Sequence, residues 1–220
     1  MTGKKQKPAG DPARIAPVER HDRVPIAAIR DARRILVLGS SGAGKTYLSE
    51  RLGEILGLEV IHLDAHFWRP DARPQADEKW REIVSNLSRR EAWIMDGTYE
   101  RSLGLRIPRA DAIIVLVCAP ARCLAHVIER QARAKEHPRP DLPAGYVEQL
   151  DESHRRYVSH YPEVTHPAVL ADIQRYGPST PVATLAAPET IDPFLTRLRQ
   201  TGMARFARSP RSDANLHEIG

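Results

Sequence analysis

RRILVLGSSGAGKTYLSERLGEILG, residues 33–57, is the stretch of sequence that decides the fold. A short apolar run, Ile35 to Leu38, has charge before it and glycine after it, which is typical of a strand buried on both faces of a parallel sheet. Leucine and isoleucine then recur at helical spacing up to Gly57, a residue that commonly ends a helix. The stretch therefore predicts a strand, a tight glycine-rich turn and a helix.

The turn between this strand and this helix matches the pattern G-x-x-x-x-G-K-[ST]. Bound phosphates need several converging N–H groups, and glycine lets the backbone curl tightly enough to supply them. The helix N-terminus adds unpaired N–H groups and a dipole that favour an anion. We expect Lys45 to reach the β- and γ-phosphates of ATP and the Thr46 hydroxyl to bind Mg²⁺. The predicted nucleotide loop comprises Gly39, Ser40, Ser41, Gly42, Ala43, Gly44, Lys45 and Thr46.

Composition excludes several classes of protein. At 220 residues, the chain suits one α/β domain with a sizeable core. Its two cysteines, Cys118 and Cys123, have no disulfide framework around them, which indicates a reducing compartment and predicts a cytoplasmic protein. The longest uncharged apolar run, Ala112 to Ala119, is too short to cross a bilayer, so no membrane association is expected.

The first 30 residues predict a flexible arm, because they contain four prolines, many charges and little periodicity. Residues 1–34 carry nine basic and four acidic side chains, an excess that equals the whole formal charge of +5. The alternative is a tether to nucleic acid or another anionic surface. No aromatic residue interrupts the basic ones to stack on bases, which favours the solvated arm. We expect one folded domain at 31–201 and a loose tail at 202–220.

Strands and helices alternate along this domain, which predicts a parallel sheet covered by helices on both faces. After the first strand, further strands are expected at 59–64, 92–97, 112–118 and 181–185. After the helix that follows the loop, further helices are expected at 80–87, 121–134, 144–161, 167–176 and 191–198.

Two aspartates follow predicted strands, and ligands of parallel sheets bind at the carboxyl ends of the strands. Asp96 follows the hydrophobic run Trp93-Ile-Met and is the better candidate to bind Mg²⁺, although it could instead cap the turn before Gly97. Asp64 could accept the proton of an acceptor hydroxyl or bind the acceptor, or it could cap the start of a loop. Trp68, which follows shortly after, could form a wall of the acceptor site.

Phosphoryl transfer also needs cations that neutralise charge on the transferred group. Arg130 and Arg133 share one face of a predicted helix, so we expect them to act in catalysis. They begin a segment at about 130–142 that could fold over the phosphates and exclude water. Further candidates, expected to bind the acceptor, are Arg101, Arg106 and Arg139.

Taken together, the motifs resemble the FlaR-like "DNA topology modulation" proteins, a family of adenylate-kinase-like P-loop proteins. The resemblance spans about residues 33–198 and implies a five-stranded parallel sheet with strand order 2-3-1-4-5. That order would place Asp96 beside the nucleotide loop. The matching motifs are Gly39-Ser-Ser-Gly-Ala-Gly-Lys-Thr46, His62-Leu-Asp64-x-x-Phe67-Trp68-x-Pro70, Trp93-Ile-Met-Asp96-Gly97-x-Tyr99 and Arg139-Pro140-Asp141.

Two functions are compatible with these features. The first is a phosphotransferase that moves the γ-phosphoryl group of ATP·Mg²⁺ to a small acceptor, either a nucleotide or a hydroxyl metabolite. The alternative is an ATP-binding, DNA-associated regulator without such activity, and the basic arm is its only support in the sequence. A GTPase is disfavoured because no Asn/Thr-Lys-x-Asp motif occurs in the chain.

Overall fold

Every strand of the sheet runs parallel to its neighbours in the computed structural model, which describes residues 25–134, 142–143, 146 and 149–206. The strands are β1 (Arg34–Gly39), β2 (Val60–His62), β3 (Trp93–Asp96), β4 (Ala112–Val117) and β5 (Val182–Ala186). Their order across the sheet is β2-β3-β1-β4-β5. This confirms the predicted five-stranded parallel sheet and its strand order.

Helices connect the strands and cover both faces of the sheet. The α-helices of the described residues are α1 (Ile26–Asp31), α2 (Lys45–Leu56), α3 (Leu63–Phe67), α4 (Asp77–Ser88), α5 (Leu103–Arg106), α6 (Pro120–Ala134), α7 (Glu152–His160), α8 (His166–Tyr176) and α9 (Ile191–Phe206). Two short 3₁₀ turns, Glu100–Ser102 and Ile107–Arg109, flank α5, and a π-helical turn, Tyr161–Thr165, joins α7 to α8. None of these helices is both long enough and apolar enough to cross a membrane.

The central strand β1 has a core on each side of it. Ile35 and Val37 pack in the cluster that contains the buried side chains of α1, α2 and α9. Leu36 and Leu38 pack in the opposite cluster, with those of α4, α5 and α8. All four side chains are fully buried. Alternate residues therefore face opposite layers, which explains why this strand is a continuous apolar run.

The ends of the domain differ from the prediction. Residues 26–30 were expected to belong to a flexible arm, but they form most of α1, in which Ile26 and Ile29 are buried. The Arg30 guanidinium donates to the Thr201 carbonyl of α9 at 2.7 Å. Contact with α9 therefore stabilises a helix that would be too short to persist alone. The remainder of the predicted arm, 1–24, lies outside the described residues.

Two further boundaries also differ. Helix α9 extends to Phe206, so the first part of the predicted tail is helical and 207–220 lies outside the described residues. The helix expected at 144–161 begins only at Glu152, where the Asp151 carboxylate accepts from the His154 N–H at 2.8 Å and caps the helix. The described part of the predicted 130–142 segment comprises the last turn of α6 and residue 142.

The sheet order brings the ends of three strands to one edge. Asp96 ends β3 and lies beside Val37 of β1 on one side and beside His62 of β2 on the other. Because β1 leads into the predicted nucleotide loop two residues later, Asp96 is held next to that loop by main-chain pairing alone. The fold thus assembles the candidate site from segments far apart in sequence.

Candidate active site

The loop from Gly39 to Thr46 adopts a conformation that requires glycine. Gly42 has a φ of +79° and Gly44 a φ of +92°, both in the left-handed region. A Cβ atom at Gly42 would lie 2.2 Å from the Cys123 carbonyl oxygen, so the loop backbone packs directly against the first turn of α6. The loop therefore has the tight curl that a cradle of N–H groups needs.

Lys45 and Thr46 begin α2, immediately after the loop. The Lys45 ammonium donates to the Ser40 carbonyl at 3.0 Å, so this side chain folds back over the loop. The Thr46 hydroxyl donates to Asp96 Oδ2 at 2.9 Å. The Thr46 and Asp96 side chains, both predicted to bind the metal, thus lie together although they are 50 residues apart in the sequence.

The Thr46–Asp96 pair fits Mg²⁺, because a hydroxyl and a carboxylate are the hard oxygen ligands that this ion prefers. Among the residues that the structure describes, no group of three or more His, Cys, Asp or Glu side chains could hold a metal by itself. A magnesium ion at this pair would therefore take its other ligands from phosphates and water, as is usual for nucleotide sites.

Asp96 has a second partner that the sequence did not reveal. Its side chain is buried, and Oδ2 lies 3.1 Å from His62 Nδ1. His62 ends β2, the strand paired with β3, so the contact follows from the sheet register. His62 thereby fixes the orientation of the carboxylate that Thr46 also contacts.

The turn that follows Asp96 is tied to the nucleotide loop by one hydroxyl group. Thr98 Oγ1 accepts from the Gly39 N–H at 3.0 Å and donates to the Gly39 carbonyl at 2.8 Å. Gly97 and Tyr99 on either side both have positive φ angles, +134° and +38°. The turn is therefore sharply bent and fastened at its centre to the first residue of the loop.

The structure corrects the prediction for Arg106. This side chain is fully buried, and its guanidinium donates to the carbonyls of Gly97 at 2.8 Å, Tyr99 at 3.1 Å and Thr98. Burial lowers the pKa of Arg106 to about 9, and the three carbonyls compensate the buried charge. Arg106 therefore does not bind an acceptor. It holds the bent turn between Asp96 and Tyr99.

Asp64 lies in α3 and not at the end of β2, since that strand stops at His62. It remains at the same sheet edge, where the Tyr99 hydroxyl donates to Asp64 Oδ1 at 2.6 Å. Burial and the neighbouring Asp64 carboxylate raise the pKa of Tyr99 well above its ordinary value, so this phenol remains a donor. Sequence reasoning assigned Tyr99 no role, because nothing local links it to a residue 35 positions away.

Aromatic side chains pack against Tyr99, the partner of Asp64. The Phe67 ring lies 4.6 Å from the Tyr99 ring and 5.0 Å from the Trp68 ring, measured between centroids. Trp68 is half-buried and lies 5.3 Å from the ring of Tyr146. The Trp68 N–H donates to the Asp64 carbonyl at 3.2 Å, so the two residues lie one helical turn apart, and the role of Trp68 as a wall of an acceptor site stays a prediction.

Helix α6 forms one side of a cavity of about 380 Å³ above the loop. Its lining includes the backbone of Gly42 and Gly44, the side chains of Lys45 and Thr46, and, from α6, His126, Arg130 and Arg133.

Both predicted arginines of α6 thus lie beside the loop. Arg130 donates to the Ser41 hydroxyl at 3.3 Å, and Arg133 pairs with Glu129 at 3.4 Å. His126 Nδ1 lies 2.8 Å from the Gly42 carbonyl, to which it must donate. The spacing of His126 four residues before Arg130 could have indicated that it shares their face.

Of the other two predicted arginines, Arg101 is not among the described residues that line this cavity. The Arg101 side chain is 87% exposed and pairs with Asp77 at 3.5 Å. Arg139 lies outside the described residues. The prediction that they bind the acceptor therefore has no contact in the described residues to support it.

Compared by sequence, the chain matches no protein-family model and no curated protein. The FlaR-like resemblance therefore stays an expectation.

Compared by structure, the chain is similar to the shikimate kinase from Acinetobacter baumannii in complex with shikimate, with 15% identity and a TM-score of 0.52 over 82% of this chain and 98% of that chain. It is also similar to a shikimate kinase from Bacteroides thetaiotaomicron (14% identity, TM-score 0.45, 78% and 99%) and to a gluconokinase from Sinorhizobium meliloti 1021 (18%, 0.42, 79% and 93%). The sheet order and the first of these similarities show that the chain has the P-loop fold of nucleotide-kinase type.

Proposed function

We propose that the protein is a kinase that transfers the γ-phosphoryl group of ATP to a hydroxyl group of a small acceptor. The contact between the Thr46 hydroxyl and Asp96 Oδ2 at 2.9 Å carries this proposal. It joins the end of the phosphate loop to a strand-end carboxylate, which is the pair of oxygen ligands that a Mg²⁺–nucleotide complex needs in P-loop enzymes.

The nucleotide side of the reaction is assigned to the loop and α6. The N–H groups of the loop bind the phosphates, and the Lys45 ammonium exchanges the Ser40 carbonyl for the β- and γ-phosphate oxygens. Arg130 and Arg133 neutralise charge on the transferred group and help to exclude water from the cavity that they line. Bound Mg²⁺ supplies further positive charge at the phosphate oxygens.

The acceptor side is assigned to Asp64, Tyr99 and Trp68. The Asp64 carboxylate accepts the proton of the attacking hydroxyl, and the Tyr99 hydrogen bond orients that carboxylate. Trp68 packs against the acceptor as one wall of the pocket. The alternative function, a DNA-associated regulator, rested on the basic arm, and no contact in the described residues supports it.

A survey of phosphate acceptors tests the proposal. ADP release from ATP and Mg²⁺ is measured with the full-length protein and a panel of nucleosides, nucleotides, sugars and other hydroxyl metabolites. We expect at least one acceptor to stimulate ADP release, and Lys45→Met to reduce that rate by about 100- to 1,000-fold. Lys79→Met is the matched control, because Lys79 lies on the surface and pairs with Glu82. Equal ADP release by the wild type and Lys45→Met throughout the panel would contradict the proposal.

A further inference from the structure

The two cysteines of the chain lie at the start of α6. Pro120 is the first residue of this helix, and the Ala119 carbonyl before it accepts from the N–H of Cys123 at 3.0 Å. Cys118 therefore precedes the capping residue, and Cys123 is the fourth residue inside the helix. Side chains at these two positions commonly contact each other and fix the angle at which a chain enters a helix.

The Cys123 thiol makes this contact, because its Sγ lies 4.0 Å from the Cys118 carbonyl oxygen and so points back toward the residue that carries the other thiol. Cys123 is buried, whereas Cys118 is only half-buried. No other cysteine occurs in the chain, so each thiol has one possible intramolecular partner.

The surroundings make the two sulfur atoms chemically different. The neighbouring Cys123 thiol, together with the nearby His126 and Arg122, lowers the pKa of the Cys118 thiol. The neighbouring Cys118 and burial raise the pKa of Cys123. The positive end of the α6 dipole also favours a thiolate near Cys118. The pair therefore combines a partly accessible nucleophile with a neighbouring thiol that can resolve an oxidised product.

We propose that Cys118 and Cys123 form a reversible oxidation site for hydroperoxides, and that its disulfide form weakens nucleotide binding. The Cys118 thiolate attacks the terminal oxygen of the hydroperoxide, the O–O bond breaks, and an alkoxide (hydroxide, for hydrogen peroxide) leaves and takes up a proton. The sulfur of Cys123 then attacks the resulting sulfenic acid, loses its proton and displaces water. Two thiols and one hydroperoxide thus yield a disulfide, an alcohol and water.

The link to the nucleotide loop is the close packing of Gly42 on Cys123. The main chains touch so closely that a Cβ atom on Gly42 would meet the Cys123 carbonyl at 2.2 Å. His126, one turn further along α6, donates to the Gly42 carbonyl at 2.8 Å. Drawing Cys123 toward Cys118 to form a covalent bond moves this turn, and the loop that leans on it must follow. This consequence rests on the proposed binding of a nucleotide by the loop.

The test treats the reduced, full-length protein with a small excess of hydrogen peroxide. We expect an intact mass lower by about 2 Da, the loss of two hydrogen atoms, and its recovery with dithiothreitol. The affinity for an ATP analogue should fall about 10-fold on oxidation and recover with the mass. Recovery distinguishes the disulfide from oxidation of methionine, which dithiothreitol does not reverse under these conditions.

Two single variants separate the roles of the cysteines. In Cys123→Ser, the sulfenic acid has no thiol to resolve it, so dimedone should label Cys118 and the mass loss should vanish. In Cys118→Ser, neither the label nor the mass loss should appear. Both variants should bind the ATP analogue like the reduced wild type, and peroxide should leave that affinity unchanged in Cys118→Ser.

Each remaining outcome contradicts a stated part of the proposal. A wild-type protein that keeps both thiols under peroxide overturns the oxidation site. A disulfide that leaves ATP affinity unchanged overturns its effect on the loop. If the reduced protein binds no nucleotide, the proposed function fails and the effect on the loop fails with it, whereas mass and dimedone labelling still decide the oxidation site.

Discussion

The nucleotide side and the acceptor side of the candidate site meet at Asp96, but they are built by different means. The loop from Gly39 to Thr46 offers mainly its backbone, and its shape depends on glycines with positive φ. The acceptor side offers side chains, with Asp64 held by Tyr99, whose ring packs on Phe67. A backbone site needs a few fixed residue types close together in sequence, whereas a side-chain site needs a tertiary scaffold. Variants of each kind should therefore fail in different ways.

The largest expected effect concerns the backbone of the loop. Gly42→Ala would place a methyl group 2.2 Å from the Cys123 carbonyl at a φ of +79°, so the loop must move. We expect ATP affinity to fall by about 100-fold or more, since each loss of about 1.4 kcal/mol in binding free energy weakens the affinity tenfold. Equilibrium binding of an ATP analogue measures this.

Gly57→Ala is the matched control for this variant. Gly57 also has a positive φ, +67°, but nothing lies within 4 Å of its Cβ direction. This change should cost about 1–2 kcal/mol of stability and leave ATP affinity unchanged. Equal losses of ATP affinity in the two variants would refute the idea that the packing of Gly42 shapes a phosphate cradle.

The next effect concerns the carboxylate shared by both sides. Asp96→Asn keeps the shape of the side chain but removes the negative charge that we propose binds Mg²⁺. We expect turnover to fall about 100-fold at fixed Mg²⁺ and the metal titration to shift to higher concentration. Asp111→Asn is the control, because Asp111 is held by Arg34 at 2.8 Å at the start of β4. An unchanged metal titration in Asp96→Asn would remove Asp96 from the metal site.

Substitution of Arg106 should lower the stability of the protein more than it changes the catalytic step. Arg106→Met leaves three buried carbonyls of the bent turn without their donor, so we expect a loss of about 3 kcal/mol in the free energy of unfolding. Urea unfolding of this variant and of Arg109→Met, an exposed neighbour, measures the difference.

A second measurement on the same variant separates the two sides of the site. Because the turn carries Tyr99 and is fastened to Gly39 by Thr98, the folded Arg106→Met protein should have a raised KM for the acceptor and a smaller loss of affinity for ATP. An Arg106→Met protein as stable as Arg109→Met would return Arg106 to the list of candidate ligands.

A smaller effect is expected at the acceptor side alone. Tyr99→Phe removes the donor to Asp64 but keeps the ring that packs on Phe67. We expect turnover of the acceptor to fall about 10-fold, the usual scale for one hydrogen bond to a charged group, with ATP affinity unchanged. Tyr176→Phe, on α8, is the matched control. A loss of ATP affinity in Tyr99→Phe would show that the two sides are not separable.

The smallest effect is a dependence of stability on pH. Burial raises the pKa of Tyr99, so the folded protein keeps this proton where the unfolded chain releases it. The contribution of Tyr99 to stability is complete below about pH 10 and is lost as the pH rises through the folded value. The free energy of unfolding, measured with urea between about pH 9 and 11, should therefore fall less steeply with pH for Tyr99→Phe than for the wild type. Parallel curves would contradict the assignment.

The sequence was sufficient for the parts of the molecule that local chemistry determines. The residue types of the Gly39–Thr46 turn were enough to predict a tight glycine-rich turn between a strand and a helix. The continuous apolar run of β1 indicated a strand covered on both faces. The strand order followed from the family resemblance and was confirmed. Asp96 was predicted as a metal ligand because it ends a hydrophobic run, which is again a local signal; the structure places it in contact with Thr46, and its role stays a prediction.

The remaining features depend on contacts that a sequence pattern does not contain. Arg106 resembled any arginine in a connector, and only the bent turn above it explains why it is buried. The pairing of Asp64 with Tyr99 and the short helix α1 depend in the same way on partners far along the chain.

The hydroxyl of Thr98 contacts both main-chain groups of Gly39. Its oxygen atom therefore links the proposed nucleotide loop to the turn of the proposed acceptor site. If bound phosphates shift Gly39, the turn that carries Tyr99 must shift with it. Occupancy of one substrate site would then alter the affinity of the other by a common factor, in either order of addition. Thr98, a side chain to which the proposal assigns no contact with either substrate, would thus set how much the binding of one substrate changes the affinity for the other.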